Sequence, residues 1–372
     1  MINVLHLRDT DRICGPGKTI IETCARIDKS KYNLKIGLFL LDSQTNNEYK
    51  KAAEKRGIDV IPLVTSNQFD LRIIFKIITV IKEHNIHILH SHEYKSDILV
   101  YLVSKFYNIP IVTTAHGWIA NSLKGKLYIG MGKRVLRYFD NVIAVSPKIH
   151  KELIRVKVLE TRARLIFNAI VTDNYIADSF EANILRDRFN LPSDAFLFGN
   201  IGRLSPEKGQ KEFIIGAKKI AHEFPNTYFF LIGDGPDRDV LEEMVVEHQL
   251  QSRVFFTGHY HDVRPVFQDL NAVGLTSYTE GFPNVLLESL CMNKPIFASD
   301  VGGVDEIIHH KETGLLIPPH NALAVEESMR YILTHPNDCK QQVENGKKLI
   351  RDKYAFTRRV EKIQSLYDGL VL

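Results

Sequence analysis

Two cations separated by four residues lie in a loop-like stretch near the middle of the chain. The stretch reads GRLSPEKG, residues 202–209, and its cations are Arg203 and Lys208. An arginine offers a planar fork of donors that fits phosphate oxygens, and a lysine adds a compact positive charge. At the carboxyl end of a strand such a pair can neutralise a diphosphate. Two solvated loop cations without a ligand are the alternative.

Two glutamates define a second polar stretch, EGFPNVLLE, residues 280–288. Pro283 suits the first turn of a helix, so the residues around it should lie at a helix N-terminus, where free N–H groups and the helix dipole favour an anion. Glu280 then lies in the loop, and Glu288 lies more than one turn along the helix. Carboxylates accept hydrogen bonds well from ribose or sugar hydroxyls. A capped core helix explains the leucines but not the residues before Pro283.

A histidine is the third polar position of interest. His116, in the stretch TTAHGW (residues 113–118), follows a predicted strand. Ligands of α/β proteins bind at the carboxyl ends of strands, so a histidine at this position can contact a substrate. A lone histidine with a structural role is the alternative, and both stay open here.

The stretch CGPGKT, residues 14–19, raises the question of a nucleotide P-loop. The full pattern G-x-x-x-x-G-K-[ST] requires a glycine where Arg12 stands, and the dinucleotide pattern G-x-G-x-x-G lacks its last glycine. The sequence therefore predicts a glycine turn, with Gly15 and Gly17, between a strand and a helix over about residues 18–28. Such a turn brings backbone close to an anion, or is purely structural.

The composition is that of a globular protein with a large core, since 44% of the 372 residues are hydrophobic and 25% are charged. No apolar run reaches the roughly 18 residues that a membrane span needs, and the N-terminus begins with a strand pattern rather than a signal peptide. The cysteines show no CxxC or zinc spacing, which predicts reduced thiols in a cytoplasmic protein. They are Cys14, Cys24, Cys291 and Cys339.

The net charge of +4 is unevenly divided: residues 1–180 carry +10 and residues 181–372 carry −6. A basic half predicts an anionic partner, such as nucleic acid, a phospholipid surface or a phosphorylated substrate, and an uneven solvated surface is the alternative. Within this half, residues 122–139 combine cations with apolar side chains, as in segments that lie on anionic bilayers. We hypothesise peripheral binding to the inner face of the cell membrane. A helix that packs its apolar stripe on the sheet is the alternative.

Short apolar stretches alternate with amphipathic ones through both halves, which predicts parallel sheets covered by helices on both faces. The region 172–194 lacks a clear strand and predicts a linker. The predicted strands are 2–7, 34–41, 59–63, 86–91, 110–114, 141–145, 164–167, 196–201, 228–232, 254–256, 272–275, 296–298 and 314–317. The predicted helices include 69–83, 97–107, 125–139, 148–158, 211–223, 237–248, 284–292, 322–334 and 339–354.

These motifs, taken in order, resemble glycosyltransferase family 4 over essentially the whole chain. Each motif alone is weak, but the ordered set is specific. The resemblance implies the α/β GT-B architecture, with two Rossmann-like doubly wound domains facing across a cleft. The motifs are IFNAI (166–170), GRLSPEKG (202–209), EGFPNVLLE (280–288), SDVGGVDEIIHHKETGLLIPP (299–319) and the histidine of TAHG. The implied domains are an acceptor-binding domain (1–172), a nucleotide-sugar donor-binding domain (173–355) and a C-terminal helix that crosses back to the first domain (356–372).

The resemblance also implies an activity, retaining transfer of a sugar from a nucleotide-sugar to an acceptor. UDP is the default donor nucleotide and GDP the alternative. The expected acceptor is a glycan or lipid-diphosphate-linked oligosaccharide of bacterial-type surface polysaccharide synthesis, and no nucleic acid partner is expected. A sugar-nucleotide epimerase or hydrolase and a non-catalytic sugar-nucleotide-binding protein are the alternative functions. We expect no cofactor and no metal, since the D-x-D of residues 9–11 is a signature of a different glycosyltransferase fold.

By the same resemblance, Arg203 and Lys208 hold the donor diphosphate and Glu288 holds the ribose. Glu280 contacts the donor sugar, and His116 orients or stabilises it; these two are the predicted catalytic residues. The other implied donor-binding residues are Gly15, Gly17, Gly281, Phe282, Pro283, Asn284 and Val285. Pro16, between the two glycines, leaves open which of them contacts ligand, and Ala169 stands where the family often has glycine.

Overall fold

The structure is a computed structural model that describes residues 1–11, 13, 15–41, 47–65, 70–118, 123–176, 180–181 and 183–371, without the side chains of 123–127. Arg12 and Cys14, which belong to the CGPGKT question, lie outside the described residues. So does residue 122, the first of the basic segment.

The chain forms two compact units. The first contains Met1–Asn168 and Thr357–Leu372, and the second contains Ala169–Phe356. The boundary falls a few residues before the position predicted at 172. The region predicted as a linker contains a 3-10 turn, Thr172–Asn174, and a short helix, Ile184–Phe189.

The first unit is a parallel sheet with helices. Its strands are β1 (Ile2–Arg8), β2 (Tyr32–Leu41), β3 (Val60–Thr65), β4 (Ile88–Ser91), β5 (Ile111–Ala115), β6 (Asn141–Ala144) and β7 (Ala163–Leu165). Its helices are α1 (Gly15–Arg26), α2 (Glu48–Lys55), α3 (Arg72–Glu83), α4 (Tyr94–Phe106), α5 (Leu123–Val135) and α6 (Pro147–Arg155). The strands are ordered β3-β2-β1-β4-β5-β6-β7. Strands buried on both faces read as continuous apolar runs, as Val4, Leu5 and Leu7 of β1 show with no exposed surface.

The second unit repeats this architecture. Its strands are β8 (Phe196–Ile201), β9 (Thr227–Ile232), β10 (Val254–Gly258), β11 (Ala272–Leu275), β12 (Ile296–Ser299) and β13 (Leu315–Ile317). Its helices are α7 (Ile184–Phe189), α8 (Gln210–Glu223), α9 (Arg238–Glu247), α10 (Arg264–Asp269), α11 (Asn284–Cys291), α12 (Ala322–Thr334) and α13 (Pro336–Leu349), with a π-helical turn at Ile350–Tyr354. The sheet order is β10-β9-β8-β11-β12-β13. One core cluster contains Phe198 and Phe229 and another contains Leu197 and Phe230, so alternate strand residues feed separate cores.

The last helix, α14 (Phe356–Val371), returns to the first unit. Tyr32 of β2 donates a hydrogen bond to Asp368 Oδ1 at 2.5 Å, and Lys31 pairs with Asp368 Oδ2 at 2.7 Å. Arg359, which is 5% exposed, donates to the carbonyl oxygen of Phe167 at 2.7 Å. Two ends of α14 are thereby tied to the sheet and to the loop after β7.

Each sheet contains a topological switch point. The chain runs from β1 outward through β2 and β3 and then returns to β4 on the other side of β1; likewise it runs from β8 through β9 and β10 and returns to β11. The loops at the carboxyl ends of the two central strands diverge at such a point and leave a crevice that binds ligands in α/β proteins. Most of the predicted site residues follow these strands.

The predicted strands are all present, with ends within two residues of the prediction. The predicted glycine turn is wrong, because α1 begins at Gly15 and already includes Pro16 and Gly17. The N–H groups of a helix's first turn have no intrahelical partner, so the N–H that proline lacks costs no hydrogen bond there. The φ of proline is also close to the helical value, and Pro16 is therefore compatible with the first turn of α1. No helix in the described part of the chain is long and apolar enough to cross a membrane.

Candidate functional site

The loop after β8 carries both predicted phosphate ligands at the carboxyl edge of the second sheet. It ends in a 3-10 turn, Pro206–Lys208, followed by Gly209 at φ 59°, the residue that precedes α8. A Cβ atom at Gly209 would lie 2.2 Å from the carbonyl oxygen of Thr276, just after β11. Only glycine fits this approach, which fixes the loops after β8 and β11 against each other.

Lys208 and Glu280 form an ion pair across these two loops. Lys208 Nζ lies 2.7 Å from Glu280 Oε1, which also accepts a hydrogen bond from Ser277 Oγ at 2.6 Å. Their side chains are 23% and 9% exposed, so the pair is partly shielded from water. The structure thus brings together a residue predicted for the diphosphate and one predicted for the sugar. A diphosphate at this edge would compete with Glu280 for the ammonium group.

Arg203 presents a second cation in the same loop. Its backbone carbonyl accepts a hydrogen bond from Gln210 Nε2 at 2.9 Å, which fixes the main chain, while its side chain is exposed. Among the residues that the structure describes, no carboxylate pairs with this guanidinium. It therefore offers its fork of donors to solvent or to an anionic ligand.

The N-terminus of α11 faces the same edge. Asn284 and Val285 are its first residues, and Pro283 precedes it with extended backbone at φ −78° and ψ 112°. Pro283 therefore lies one position before the helix rather than in its first turn. Pro283 provides no side-chain cap, and the first turn of α11 presents the positive end of its helix dipole at this edge.

The loop before α11 is held by the loop after β12. Gly302 has a φ of 60°, and a Cβ atom there would lie 1.9 Å from the carbonyl oxygen of Glu280. The N–H of Gly303 donates to the carbonyl oxygen of Gly281 at 3.0 Å. Phe282, 4% exposed, packs on Tyr354 with a ring separation of 5.2 Å. The segment that is predicted to contact the sugar is therefore held in place by backbone contacts with the loop after β12 and by the buried ring of Phe282.

Glu288 lies on α11, one turn from its start, and is 6% exposed. Tyr175, which the sequence did not single out, donates its hydroxyl proton to Glu288 Oε1 at 2.7 Å. Burial raises the pKa of Tyr175, and the Glu288 carboxylate adds to the effect. Tyr175 therefore remains a hydrogen-bond donor and fixes the carboxylate that is predicted to bind ribose.

His116 directly follows β5, at the carboxyl edge of the first sheet as predicted. It lies beside a cluster that the prediction missed: His6 on β1, its register partner His90 on β4, and His92 just after β4. The ring centroids of His90 and His92 are 4.5 Å apart, and those of His92 and His116 are 5.7 Å apart. The stretch HILHSHE, residues 87–93, was the available signal.

All four histidines are neutral at pH 7. Burial, with a smaller contribution from the positive charge of Arg359, lowers the pKa of His6 to about 3. Burial is also the main reason that the pKa values of His90, His92 and His116 lie well below 6.5, with neighbouring histidines and arginines adding to the shift. The cluster therefore offers lone pairs and N–H donors rather than positive charge.

The predicted site residues divide between the two units. Gly15, Gly17 and His116 belong to the first, and all the others belong to the second. Gly17 is buried within α1, and the hydroxyl of Thr19 donates to the carbonyl oxygen of Gly15 at 3.2 Å. The structure thus assembles the predicted set of the second unit at one edge, whereas the ligand roles of Gly15 and Gly17 stay predictions.

Two family models match the chain in succession. The model described as Glycosyltransferase Family 4 matches residues 17–174, and the model described as Glycosyl transferases group 1 matches residues 181–349. The chain is a family 4-type glycosyltransferase of the GT-B fold. The predicted family and the α/β GT-B fold class are thereby confirmed.

Relatives of this glycosyltransferase occur in archaea and bacteria. An uncharacterized glycosyltransferase of Methanocaldococcus jannaschii is 27% identical over 61% of the chain, and the match covers 58% of that protein, less than two thirds of its length. A second relative, from Escherichia coli, is 22% identical over 82% of the chain and 80% of its own. It is named UDP-Gal:alpha-D-GlcNAc-diphosphoundecaprenol alpha-1,3-galactosyltransferase.

Solved structures share the fold of this glycosyltransferase. The crystal structure of Anabaena HepE in complex with UDP-glucose superposes with a TM-score of 0.88 at 19% identity, over 99% of this chain and 100% of that one. At this identity the likeness establishes the architecture alone.

Proposed function

We propose that the protein is a retaining glycosyltransferase that transfers a sugar from a UDP-sugar to a glycan or lipid-diphosphate-linked acceptor. One observation carries the proposal: Lys208, Arg203 and the N-terminus of α11 lie at the switch point of the second sheet, beside two carboxylates. That arrangement suits a ligand with a diphosphate between two hydroxyl-rich groups. The name of the Escherichia coli relative and the ligand of HepE support a UDP-sugar.

The departure of the diphosphate from the sugar accounts for the role of the two cations. As the bond between sugar and diphosphate breaks, negative charge grows on the phosphate and positive charge on the anomeric carbon. Lys208, Arg203 and the α11 N-terminus stabilise the growing negative charge, which lowers the barrier. When the diphosphate attracts Lys208, Glu280 is freed to accept hydrogen bonds from sugar hydroxyls. Glu288, oriented by Tyr175, accepts hydrogen bonds from the ribose.

Retention follows in this proposal from attack on the face that the diphosphate leaves. No carboxylate is assigned as a nucleophile, so the leaving phosphate takes the proton of the acceptor hydroxyl. His116 is neutral and can hydrogen-bond a donor-sugar hydroxyl without opposing the positive charge on the sugar ring.

Calorimetric titration with UDP, GDP, ADP, ATP and NAD tests the donor site. We expect UDP to bind, and Arg203→Ala to weaken binding at least tenfold, about 1.4 kcal/mol. Arg351→Ala removes an exposed arginine elsewhere in the second unit and should leave the affinity unchanged. Preferential binding of ATP together with a neutral Arg203→Ala would overturn the proposal. Consumption of a UDP-sugar at the same rate with and without acceptor would favour an epimerase or hydrolase.

A basic aromatic surface on the first unit supports a membrane-bound acceptor. Tyr101 of α4 stacks on Tyr138 with ring centroids 5.1 Å apart, and Lys105 lies over Tyr101 at 4.8 Å. Phe106 and Tyr138 are 67% and 50% exposed. Aromatic rings with cations suit the headgroup region of an anionic bilayer.

The basic segment predicted at 122–139 contributes only part of this surface. Its Ile129, Leu136 and Phe139 are buried in the core, so the packing alternative explains those residues. Lys133 pairs with Glu152 and lies 4.4 Å from the ring centroid of Trp118, so it is already engaged.

Sedimentation with lipid vesicles tests the membrane surface. We expect the protein to bind vesicles that contain phosphatidylglycerol, to release them at high salt, and to ignore pure phosphatidylcholine, because the attraction is electrostatic. The double variant Lys105→Ala, Phe106→Ala should lose binding. A double variant of exposed lysines in the second unit, Lys218→Ala with Lys340→Ala, should retain it. Equal binding by both variants would contradict the assignment of the surface.

Metal independence is part of the proposal. Asp9, the first carboxylate of the D-x-D, is engaged with Lys95 Nζ at 2.5 Å, and cations already serve the diphosphate at the other unit. We expect full transfer in the presence of EDTA. Activity that is lost in EDTA and restored by Mn²⁺ or Mg²⁺ would contradict this.

A further inference from the structure

A continuous line of hydrogen bonds runs through the first unit from its last helix to His116. The hydroxyl of Tyr367, on α14, lies 3.2 Å from His6 Nε2. His6 Nδ1 lies 2.8 Å from His92 Nε2, and His92 Nδ1 lies 3.5 Å from His116 Nε2. Tyr367, His6 and His92 are nearly fully buried, so water does not compete for these bonds.

A second hydrogen bond at Tyr367 determines which atom donates in each hydrogen bond of the line. The Tyr367 oxygen lies 2.7 Å from His90 Nδ1, and His90 Nε2 lies 2.8 Å from Thr114 Oγ1. A hydroxyl donates at shorter distances than a ring N–H, so the 2.7 Å contact fits Tyr367 as donor to His90, and the 3.2 Å contact fits His6 Nε2–H as donor to Tyr367. The tyrosine has one proton and can donate only once.

The neutral state of the histidines then fixes every later bond. A neutral imidazole carries one proton, so His6, protonated at Nε2, must accept at Nδ1 from His92 Nε2–H. His92 in turn accepts at Nδ1 from His116 Nε2–H. The line therefore ends with a bare lone pair on His116 Nδ1, a buried atom for which the described residues provide no partner.

One ring nitrogen from each of His6, His90 and His92 lies close enough to the other two to hold a metal ion. Each of these atoms already has a hydrogen-bond partner at 3.5 Å or less. A metal would have to break several of these bonds at once, so the geometry favours the hydrogen-bonded line.

We propose that Tyr367, His6 and His92 form a tautomer relay that holds the proton of His116 on Nε2 and leaves Nδ1 as a hydrogen-bond acceptor for a substrate hydroxyl. The three are positioning residues: they act through His116 and touch no reacting atom. The use of the acceptor in sugar transfer rests on the proposed function, but the tautomer itself does not.

Nitrogen-15 NMR of the histidine side chains is the first test, since it distinguishes protonated from bare ring nitrogens. We expect His116 to be protonated at Nε2 in the wild-type protein and to become a mixture of tautomers in Tyr367→Phe. Tyr32→Phe is the matched control, because it removes another hydroxyl that bonds to α14 and keeps the ring that packs beside Tyr367. A wild-type His116 protonated at Nδ1, or a tautomer unchanged in Tyr367→Phe, would overturn the proposal.

A pair of substitutions at His92 keeps the test decisive if Tyr367→Phe fails to fold. His92→Gln retains one donor and one acceptor and should preserve the His116 tautomer, whereas His92→Leu should lose it. In transfer assays we expect kcat of His92→Leu to fall about tenfold with the donor KM unchanged, and His92→Gln to restore most of it. Equal losses in both variants would indicate a merely structural role. Absence of UDP binding by the wild type would refute the donor site and leave the NMR result standing.

Discussion

Lys208 forms an ion pair with Glu280 in this structure and is also the residue that we propose binds the diphosphate. The pattern of glycines, arginine and lysine was enough to predict its place after a buried strand, because loop position depends on local sequence. Its pairing with Glu280 was not predictable, since the two residues are far apart in sequence and meet only where β8 and β11 lie side by side. The contacts of Tyr175 with Glu288 and of three histidines with the surroundings of His116 were not predictable for the same reason, since the partners are separated in sequence.

Glu280→Gln tests the competition between the carboxylate and a diphosphate. Loss of the negative charge releases Lys208, so we expect UDP to bind several-fold more tightly, about 1 kcal/mol, as for a partly exposed ion pair. UDP lacks the transferred sugar, so the lost contact to that sugar does not affect UDP binding, whereas transfer should fall at least tenfold.

Glu344→Gln is the matched control for Glu280→Gln. It removes one carboxylate from an ion pair with Lys347 on α13 and should change neither UDP affinity nor transfer. If Glu280→Gln weakens UDP binding in calorimetry, the carboxylate holds Lys208 in place instead of competing for it.

At the scale of elements, two prolines show the limits of sequence reasoning. Pro16 lies inside the first turn of α1, where the sequence predicted a glycine turn, and Pro283 lies just outside α11, where the sequence predicted a first helical turn. Proline is compatible with both positions, and tertiary contacts decide between them. The strands were easier, since burial on both faces leaves a continuous apolar run.

Gly209→Ala tests whether contact between loops builds the donor site. Alanine at φ 59° is strained by roughly 1–2 kcal/mol, and its Cβ would also clash with the carbonyl oxygen of Thr276. Gly258→Ala is the control, because Gly258 has a φ of 76° and a Cβ there would meet only Arg238 Nη1, at 3.9 Å.

We expect both glycine variants to lower the melting temperature of the second unit, but only Gly209→Ala to weaken UDP binding by about tenfold or more. Calorimetry of both variants measures the difference. An equal loss of affinity in the two would show that general destabilisation, rather than loop contact, sets the affinity.

At the scale of the whole molecule, the two units bury ionisable groups differently. The first holds His6, His90 and His92 nearly without exposed surface, while none of the buried polar residues described in the second is a histidine. Sequence reasoning identified two α/β units but gave no account of this difference, which depends on which side chains the sheets enclose.

This difference predicts selective acid unfolding of the first unit. A buried neutral histidine has a folded pKa below its unfolded value of 6.5, so its contribution to stability is complete above pH 6.5 and is lost as the pH falls below it. Burial raises the pKa of Asp97 to about 7, which acts in the opposite sense: it lowers stability as the pH rises from 3.8 to about 7. Burial also raises the pKa of Glu93, and the three histidines outnumber these two carboxyl groups.

Differential scanning calorimetry between about pH 7.5 and about pH 5.5 measures the effect. We expect the free energy of unfolding of the first unit to fall by several kcal/mol per pH unit below about pH 6.5. Its transition should therefore move to lower temperature, while that of the second unit moves little. Equal shifts of both transitions would contradict the prediction.

The chain order of the first unit has a consequence for synthesis. Tyr367 lies beyond the entire second unit, Ala169–Phe356, although it belongs to the first. At about 5–20 residues per second, a ribosome needs roughly 10–40 s to make the intervening segment. During that interval the nascent first unit has its histidines but lacks the tyrosine that orders them. If the proposed relay holds, the His116 tautomer is therefore set only after the last helix has left the ribosome, and the nascent chain should be less active than the complete one.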